Sequence, residues 1–466
     1  MLKGHVEIEL HNHNTGSRER IEQENMVTNA LNYVIPNWVG GNRYPSEGIM
    51  PICQKALGGL MLFDGALTEN KNNIFFPSEA HLIAAAGQGV NSTDPLRGSK
   101  NNAESKPVTN GYQTVWDFNT SQANGNIRSL ALTMACGGDW MEPFYNYWCS
   151  TMHHIRRLNG DAQWSGCTPI CYDEEKQEMY FFSTDGKSSS SVYDSNRRIY
   201  TYTFTATIYK EYIPTTGYKV ADPVDRCDYP EAVTQVSFSI ERWSDDPWPY
   251  FINGYDGYAY IIWTEQNTSG DGTFRYRKMK IDDYSFTLSD EIVVNVASCA
   301  LRGGLPNAII NQGKAILRGY NSRWFYVVDL ANPVNVRAVD LGEGWWSEVN
   351  YQLMNMRNGC VKFLITRNST SPSRYYFAMA ILYPDGWVLT QAPYRESTYV
   401  SWSSEQTRAR LITDRLIVWG CDYSSYSSLG FPVNNYLGTI CNLAQAITKN
   451  AASSMKVIYT LRDVDE

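Results

Sequence analysis

Tryptophan and tyrosine are the side chains of this sequence best equipped to make contacts of their own, with 14 of the former and 32 of the latter. Their rings are rigid, amphipathic and cheap in entropy to immobilise, which is why they dominate binding hot spots. Such rings also stack on the apolar C–H face of a sugar while Asn, Asp and Ser side chains read its hydroxyls. The clusters are Trp140 with Phe144, Tyr145, Tyr147 and Trp148; Trp243 with Trp248 and Tyr250; Trp345 with Trp346; and Tyr399 with Trp402. Core packing is the commoner fate of any one such cluster, by about two to one. Trp345-Trp346 is the most informative pair, because adjacent residues on a strand face opposite sides of a sheet. One of those two indoles is therefore expected to leave the core. The expected glycan or receptor contacts are Trp140, Trp148, Trp243, Trp248, Trp345, Trp346 and Trp402.

Catalytic chemistry is poorly provided for. There is no Gly-x-x-x-x-Gly-Lys-Ser/Thr loop, no Gly-x-Ser-x-Gly elbow and no His-Glu-x-x-His. Of 6 histidines, His5, His11 and His13 open the chain, and a Ser-His-Asp site in the propeller region from 128 onward would have to use His153 or His154. Glycoside hydrolysis needs only a pair of carboxylates on facing loops. Asp139, Glu142, Asp245, Asp246, Asp256, Glu265 and Glu343 lie near aromatic-rich loops. Trp243-Ser-Asp-Asp-Pro-Trp248 has the look of a sugar-cleaving cleft and equally that of a plain turn. Ser183-Thr-Asp-Gly186 and Ser269-Gly-Asp-Gly-Thr-Phe274 resemble the Asp-box turns of sialidase propellers without keeping their full spacing. Those boxes are structural turns, so the expectation is a protein without enzymatic activity and without a cofactor. Metal binding has two weak candidates. Cys167 and Cys171 form the one close cysteine pair, with His153 and His154 upstream, but no second close pair completes a zinc site. His11 and His13 sit at i and i+2, which turns both imidazoles the same way on extended backbone. Solvated turn histidines and buried thiols are the expected outcome, and no metal.

The elements that must position these residues read as strands. From Gly4 to Leu10, Val6, Ile8 and Leu10 alternate with His5, Glu7 and Glu9, the period-2 pattern of a half-buried strand. His11 to Gly16 is a turn and Arg18 to Gln23 the return strand. Asn25 is the expected cap of a short helix from Met26, ended by Pro36. Residues 1–39 thus form a hairpin and helix. Residues 40–127, rich in Gly, Asn and Ser, read as a loop-heavy connector. From 128 to 466, aromatic and β-branched runs alternate with turns, among them Met179–Phe182, Arg198–Phe204, Tyr258–Trp263, Phe274–Lys280, Trp324–Val328, Cys360–Ile365, Arg374–Ile381 and Lys456–Leu461. Asp282 to Leu288 and Pro384 to Leu389 read as third strands beyond Asp-centred turns. The units recur every 45–65 residues or so, close to propeller-blade lengths. The expected fold is mainly β: a β-propeller of five or six blades over 128–466, with tandem β-sandwiches as the alternative.

Composition narrows the setting. Charged residues make up 19% of the chain, below the roughly 25% of ordinary globular proteins. The net charge is −8 with no basic block, which excludes the concentrated basic face that nucleic-acid binding requires. The opening Met1-Leu2-Lys3-Gly4-His5-Val6-Glu7 has no apolar stretch of the secretory kind, and no run reaches a membrane span. Synthesis in a cytosol without a signal peptide is expected.

Three groups of segments resemble tail structural proteins of bacteriophages and prophages of Gram-positive, often gut-dwelling, bacteria. The first is Gly4-His-Val-Glu-Ile-Glu-Leu-His-Asn-His-Asn-Thr-Gly16 with Glu24-Asn-Met-Val-Thr-Asn-Ala-Leu31. The second is Leu62-Phe-Asp64, Arg97 to Ser105 and Val115 to Ile127. The third is Asn434 to Leu443, Ile447-Thr-Lys449 and Met455 to Leu461. The resemblance implies a tail-fibre, baseplate or receptor-binding protein of a virion or tail-like particle, commonly a homotrimer. It further implies that the N-terminal region attaches to other tail or baseplate proteins and that the C-terminal part meets the host. Taken with the aromatic load, the expected ligand is host cell-surface polysaccharide. A tailspike-like polysaccharide-degrading glycosidase and a purely structural baseplate, collar or head-decoration protein are the alternatives.

Overall fold

A computed structural model describes residues 2–32, 56–140, 154–158, 167–183, 189–212, 231–242, 250–264, 272–296, 308–318, 324–340, 345–346, 354–368, 375–390, 395–397, 410–411, 418–421, 427–430 and 435–464. The protein is mainly β, as the alternating patterns require. No helix among the described residues is long and apolar enough to cross a membrane. The chain groups into two compact units: Met1–His153, Ala378–Arg395 and Phe431–Glu466 form the first, and His154–Phe377 with Glu396–Gly430 the second.

The first unit contains a sheet that almost closes on itself. Its strands run in the order Leu82–Ala86, Gly59–Phe63, Gly125–Thr133, Thr439–Lys449, Arg18–Val27, Leu2–Asn12, Ser453–Asp463, Gly111–Phe118 and Ser99–Lys100, with Lys106–Val108 also on Gly111–Phe118. The two ends of that order meet where the Ala85 N–H donates to Leu96 O and the Gly98 N–H to Ala85 O, both at 2.9 Å. The opening hairpin is the one its alternation demands. Val6, Ile8 and Leu10 are buried, and the Asn12 side chain accepts the Asn14 and Thr15 N–H groups to shape the turn. Gly16 sits in that turn at φ 70°, a left-handed conformation that costs glycine nothing.

Three sequence expectations are corrected here. Asn25 does not cap a helix: it pairs with Gly4 inside the hairpin, and the helical turn begins at Ala30, whose N–H donates to Thr28 Oγ1 at 3.3 Å. A ladder shared with two neighbours outweighs a local capping preference. Residues 59–133 are not a connector either, since they supply six strands of this sheet. Their Gly, Asn and Ser residues belong mostly to the links, while Leu60, Met61, Leu62 and Phe63 are wholly buried. Lys456–Leu461, read as the last propeller strand, lies between Leu2–Asn12 and Gly111–Phe118. The division into 1–39, 40–127 and 128–466 therefore differs from the observed grouping, which brings both ends of the chain into one core. Val6, Ile8, Leu62, Trp116, Ile127, Leu130, Val457 and Tyr459 are among its members.

The second unit is a series of antiparallel sheets. The first holds Cys167–Asp173, Glu178–Ser183, Ile199–Tyr212 and Ser189–Asp194, with Glu231–Arg242 on the other edge of Ile199–Tyr212. The second holds Tyr250–Asn253, Tyr258–Thr264, Gly272–Lys280 and Ile292–Val296, and the third Ala308–Asn311, Lys314–Arg318, Trp324–Asp329 and Val336–Asp340. In the fourth, Met354–Asn355 and Trp345–Trp346 pair with Val361–Asn368. The fifth holds Arg410–Leu411, Val418–Cys421, Ser427–Gly430 and, from far earlier in the chain, His154–Leu158. The opening strands follow one another in space: Cys167–Asp173 lies against Tyr250–Asn253, that against Ala308–Asn311, that against Met354–Asn355, and that against Arg410–Leu411. Asp282–Leu288 is a tight turn and not a strand, because Tyr284 and Phe286 both take left-handed φ values, of 55° and 53°. Phe286 is buried there, in a core that includes Phe182, Phe204, Phe238 and Trp263.

Candidate functional site

The hairpin turns after the opening strands of the first four sheets each carry a residue of left-handed backbone conformation that is not glycine. These are Gln177, Tyr255, Gln312 and Arg357, at φ 56°, 57°, 48° and 74°. Each costs about 1–2 kcal/mol relative to an ordinary backbone, and such strain gathers at sites where a particular side chain is required. Gly257, Gly313 and Gly359 complete the last three turns, also at positive φ.

Three of these residues meet. The Arg357 guanidinium carbon lies 5.3 Å from the centroid of the Tyr255 ring, within cation–π reach. Gln312 Nε2 donates to the Arg357 carbonyl at 2.8 Å, and the Gln312 N–H donates to Gly254 O at 3.2 Å. The turns are fastened by asparagines at the ends of their opening strands. Asn253 Nδ2 donates to Ile170 O at 2.9 Å and Asn311 Nδ2 to Cys360 O at 3.2 Å. Asn253 Oδ1 also accepts the Tyr255 N–H at 2.8 Å, which sets that turn.

Burial depresses the Arg357 guanidinium, and the Tyr255 phenol and Glu174 carboxylate partly restore it. Beside Glu174, Asp173 is buried, which by itself pushes its carboxyl up. Hydrogen bonds from the Lys176 side chain and backbone, with the Lys176 charge and the Glu175 N–H, outweigh this and hold it below the usual range. Lys176 reaches over the Tyr284 ring at 5.1 Å, and Tyr284 stacks on Tyr180 with centroids 5.0 Å apart. Asp256 accepts the Tyr260 hydroxyl at 2.5 Å. The Arg357 guanidinium, the Tyr255 ring and the Gln312 turn thus come together, groups able to hydrogen-bond hydroxyls beside an aromatic face. Among the described residues, no group of three or more His, Cys, Asp or Glu side chains is placed to hold a metal ion.

A second polar surface lies on the ribbon of Ile199–Tyr212 and Glu231–Arg242. Thr203 and Ser239 hydroxyls pair across it at 3.0 Å, and Thr205 and Ser237 at 3.2 Å. Rings run along the sheet from Tyr193, which is 49% exposed, through Tyr200 and Tyr202 to buried Phe204.

The residues expected from sequence fall as follows. Trp140 ends the short helix Ala135–Trp140, and Trp345 and Trp346 pair through their backbones with Arg367 and Thr366. The side chains of these three, and all of Trp148, Trp243, Trp248 and Trp402, lie outside the described residues, as do His153 and the side chain of His154. His11 and His13 do come together, with ring centroids 4.5 Å apart, and His13 Nε2 is 3.0 Å from Ser454 Oγ. Cys171 is buried with a free thiol, pushed up by burial and then by Asp173. The sequence reading missed Tyr255, Gln312 and Arg357. Their signal is an asparagine followed within a few residues by glycine: Asn253 to Gly257, Asn311 to Gly313 and Asn355 to Gly359.

No family model matches this chain, and no curated protein matches it.

Proposed function

We propose that this chain is a structural component of a phage tail or tail-like particle that binds host surface glycan. It attaches to tail or baseplate proteins through the unit that holds its N-terminal region. Its second unit is a five-bladed β-propeller that meets the polysaccharide, without enzymatic activity. The observation that carries the reading is the succession of opening strands from one sheet to the next, whose turns gather Tyr255, Gln312 and Arg357. His154–Leu158 joining the last sheet is how a ring of blades ties its beginning to its end. The tail-protein resemblance adds support, because its segments, drawn from both ends of the sequence, share the sheet of the first unit. The particle setting, trimeric assembly and cytosolic synthesis without a signal peptide belong to the same proposal.

The test is binding of the full chain to whole Gram-positive host cells and to extracted wall polysaccharide, with released reducing ends assayed in the same tubes. Tyr255→Gly and Arg357→Gly are the informative variants, since glycine takes the left-handed φ without strain. Saturable binding without release, weakened at least tenfold in either variant, is expected. Release of reducing ends overturns the non-enzymatic reading. Absence of binding by folded protein overturns adhesion in favour of a purely structural baseplate, collar or decoration role.

A further inference from the structure

We propose that Trp387 is a stacking platform for an uncharged sugar ring, a carbohydrate contact on the first unit that is separate from the turns of the second. Its indole is 38% exposed, and among the described residues its Nε1–H has no hydrogen-bond partner. The backbone beneath it is fixed by a tight turn. The Tyr383 N–H donates to Trp387 O, the Gly386 N–H to Tyr383 O and the Trp387 N–H to Asp385 Oδ1, each at 2.9 Å. Gly386 takes φ 94° in that turn, where a side chain would be strained. The ring is fixed as well. His81 packs on it with centroids 4.4 Å apart and a tilt of 36°, and Tyr383 at 5.2 Å and 59°. Asp64 holds His81 in turn: its Oδ1 accepts the His81 N–H at 2.7 Å, and its Oδ2 lies 3.1 Å from Nδ1.

An indole already immobilised by its own fold loses little entropy when a ligand lands on it. What surrounds it selects the ligand. A tryptophan that anchors a protein partner sits among apolar contacts that exclude water. Trp387 is bordered instead by the His81 and Asp64 side chains, 30% and 43% exposed. Val90 is the other exposed large apolar side chain among the described residues of the first unit, so these residues form no broad apolar patch. A pyranose matches such a surface, with an apolar C–H face for the indole and hydroxyls around its rim. One hydroxyl oxygen can accept the free Nε1–H, and another hydroxyl can donate to Asp64, whose oxygens each keep a second lone pair. The same carboxylate repels uronates and phosphates. A quaternary ammonium group is best held by several ring faces around it, and here part of the one indole is already covered by His81 and Tyr383.

The full-length R357G chain, in which the second unit's turn is altered, is tested against surface-bound tetrasaccharides of glucose, galactose and N-acetylglucosamine, with tetragalacturonate as the charged comparison. At least one neutral tetrasaccharide should bind. Adding W387A should weaken that binding about tenfold or more, whereas W387F should weaken it by about threefold at most. Wild-type hydrogen-exchange protection of Gly59–Phe63 shows that the variants fold. In the unsubstituted chain, the same sugar at saturation should shield Trp387 from oxidation by N-bromosuccinimide, read by peptide mass, which needs no variant. W387A binding as tightly as its parent, undiminished oxidation of Trp387 in the sugar-bound protein, preference for tetragalacturonate, or no neutral sugar bound at all overturns the proposal. Any of these leaves the turns of Tyr255, Gln312 and Arg357 standing, because their test is the loss of cell binding in R357G itself.

Discussion

Lys449 gives the sharpest stability prediction. It is 1% exposed in the first unit, and its ammonium donates to Asn119 O at 2.9 Å and Asn124 Oδ1 at 3.0 Å. Both partners are neutral, and burial brings the amine down from 10.5 to about 8. The unfolded chain thus holds this proton more tightly than the folded one, and stability must rise with pH between about 8 and 10.5. At 1.36 kcal/mol per unit, the full span amounts to about 3 kcal/mol. Cys441 opposes it, because burial pushes that thiol from 9.0 up to about 12, so its contribution is lost as pH climbs through that window. Stability of the first unit should therefore rise by roughly 1 kcal/mol from pH 8 to 9, level off, and fall once the phenol of buried Tyr459, also raised, ionises in the unfolded chain. K449M separates the contributions. The loss of hydrogen bonds to Asn119 and Asn124 shifts its stability by a constant, so the wild-type-minus-K449M difference against pH reports Lys449 alone. Cys441 itself is the probe: it is buried in the same core, so a short pulse of thiol reagent in a urea series labels it only when this unit opens. The difference should climb by about 2–3 kcal/mol between pH 7 and 10. A flat difference refutes the burial of an uncompensated charge.

Two further predictions concern packing and backbone. Ile8→Ala removes a side chain that is 1% exposed in the first unit's core and should cost about 2–4 kcal/mol, read as a lower urea midpoint for Cys441 labelling. Gln177→Gly relieves a left-handed backbone at φ 56°, and should stabilise the second unit by about 0.5–1 kcal/mol after the entropy of glycine is counted. Hydrogen exchange of Glu178–Ser183 under mild denaturant would show it, and a loss of protection would contradict the strain argument.

What the sequence made legible was the faces of strands and not their partners. The alternation of Val6, Ile8 and Leu10 defines an inner face, and the structure buries it. Nothing periodic says that Ile8 pairs with Val457, more than four hundred residues on, because register across a sheet is set by closure of the whole core. For the same reason Gly- and Asn-rich links around Leu60–Phe63 hid a central strand. Large rings were chosen from composition, whereas Tyr255, Gln312 and Arg357 are selected by backbone conformation, a property of the turn. Only the recurring Asn-to-Gly spacing hints at it.

Ser453–Asp463 occupies a position that makes its removal a test of the whole topology. It pairs along one side with Leu2–Asn12 and along the other with Gly111–Phe118, through registers running from Leu2–Asp463 to Asn12–Ser453 and from Arg462–Gly111 to Met455–Phe118. Deleting it removes the seventh of the nine strands in the sheet's order, exposes two long edges and strips Met455, Val457, Tyr459 and Leu461 from the core. Those four buried side chains alone are worth about 6–12 kcal/mol, as much as a typical domain's net stability. A chain ending at residue 452 should therefore lose protection across Leu2–Asn12, Gly111–Phe118 and Gly125–Thr133, and the bared edges should drive aggregation. The second unit draws no strand from this segment, so protection of Tyr258–Thr264 and Trp324–Asp329 should persist in whatever stays soluble. Retained protection of Leu2–Asn12 would mean that the opening hairpin finds its stability without the closing strand. Collapse of both units together would mean that the second unit takes its stability from the first, a dependence its own sheets and core do not require.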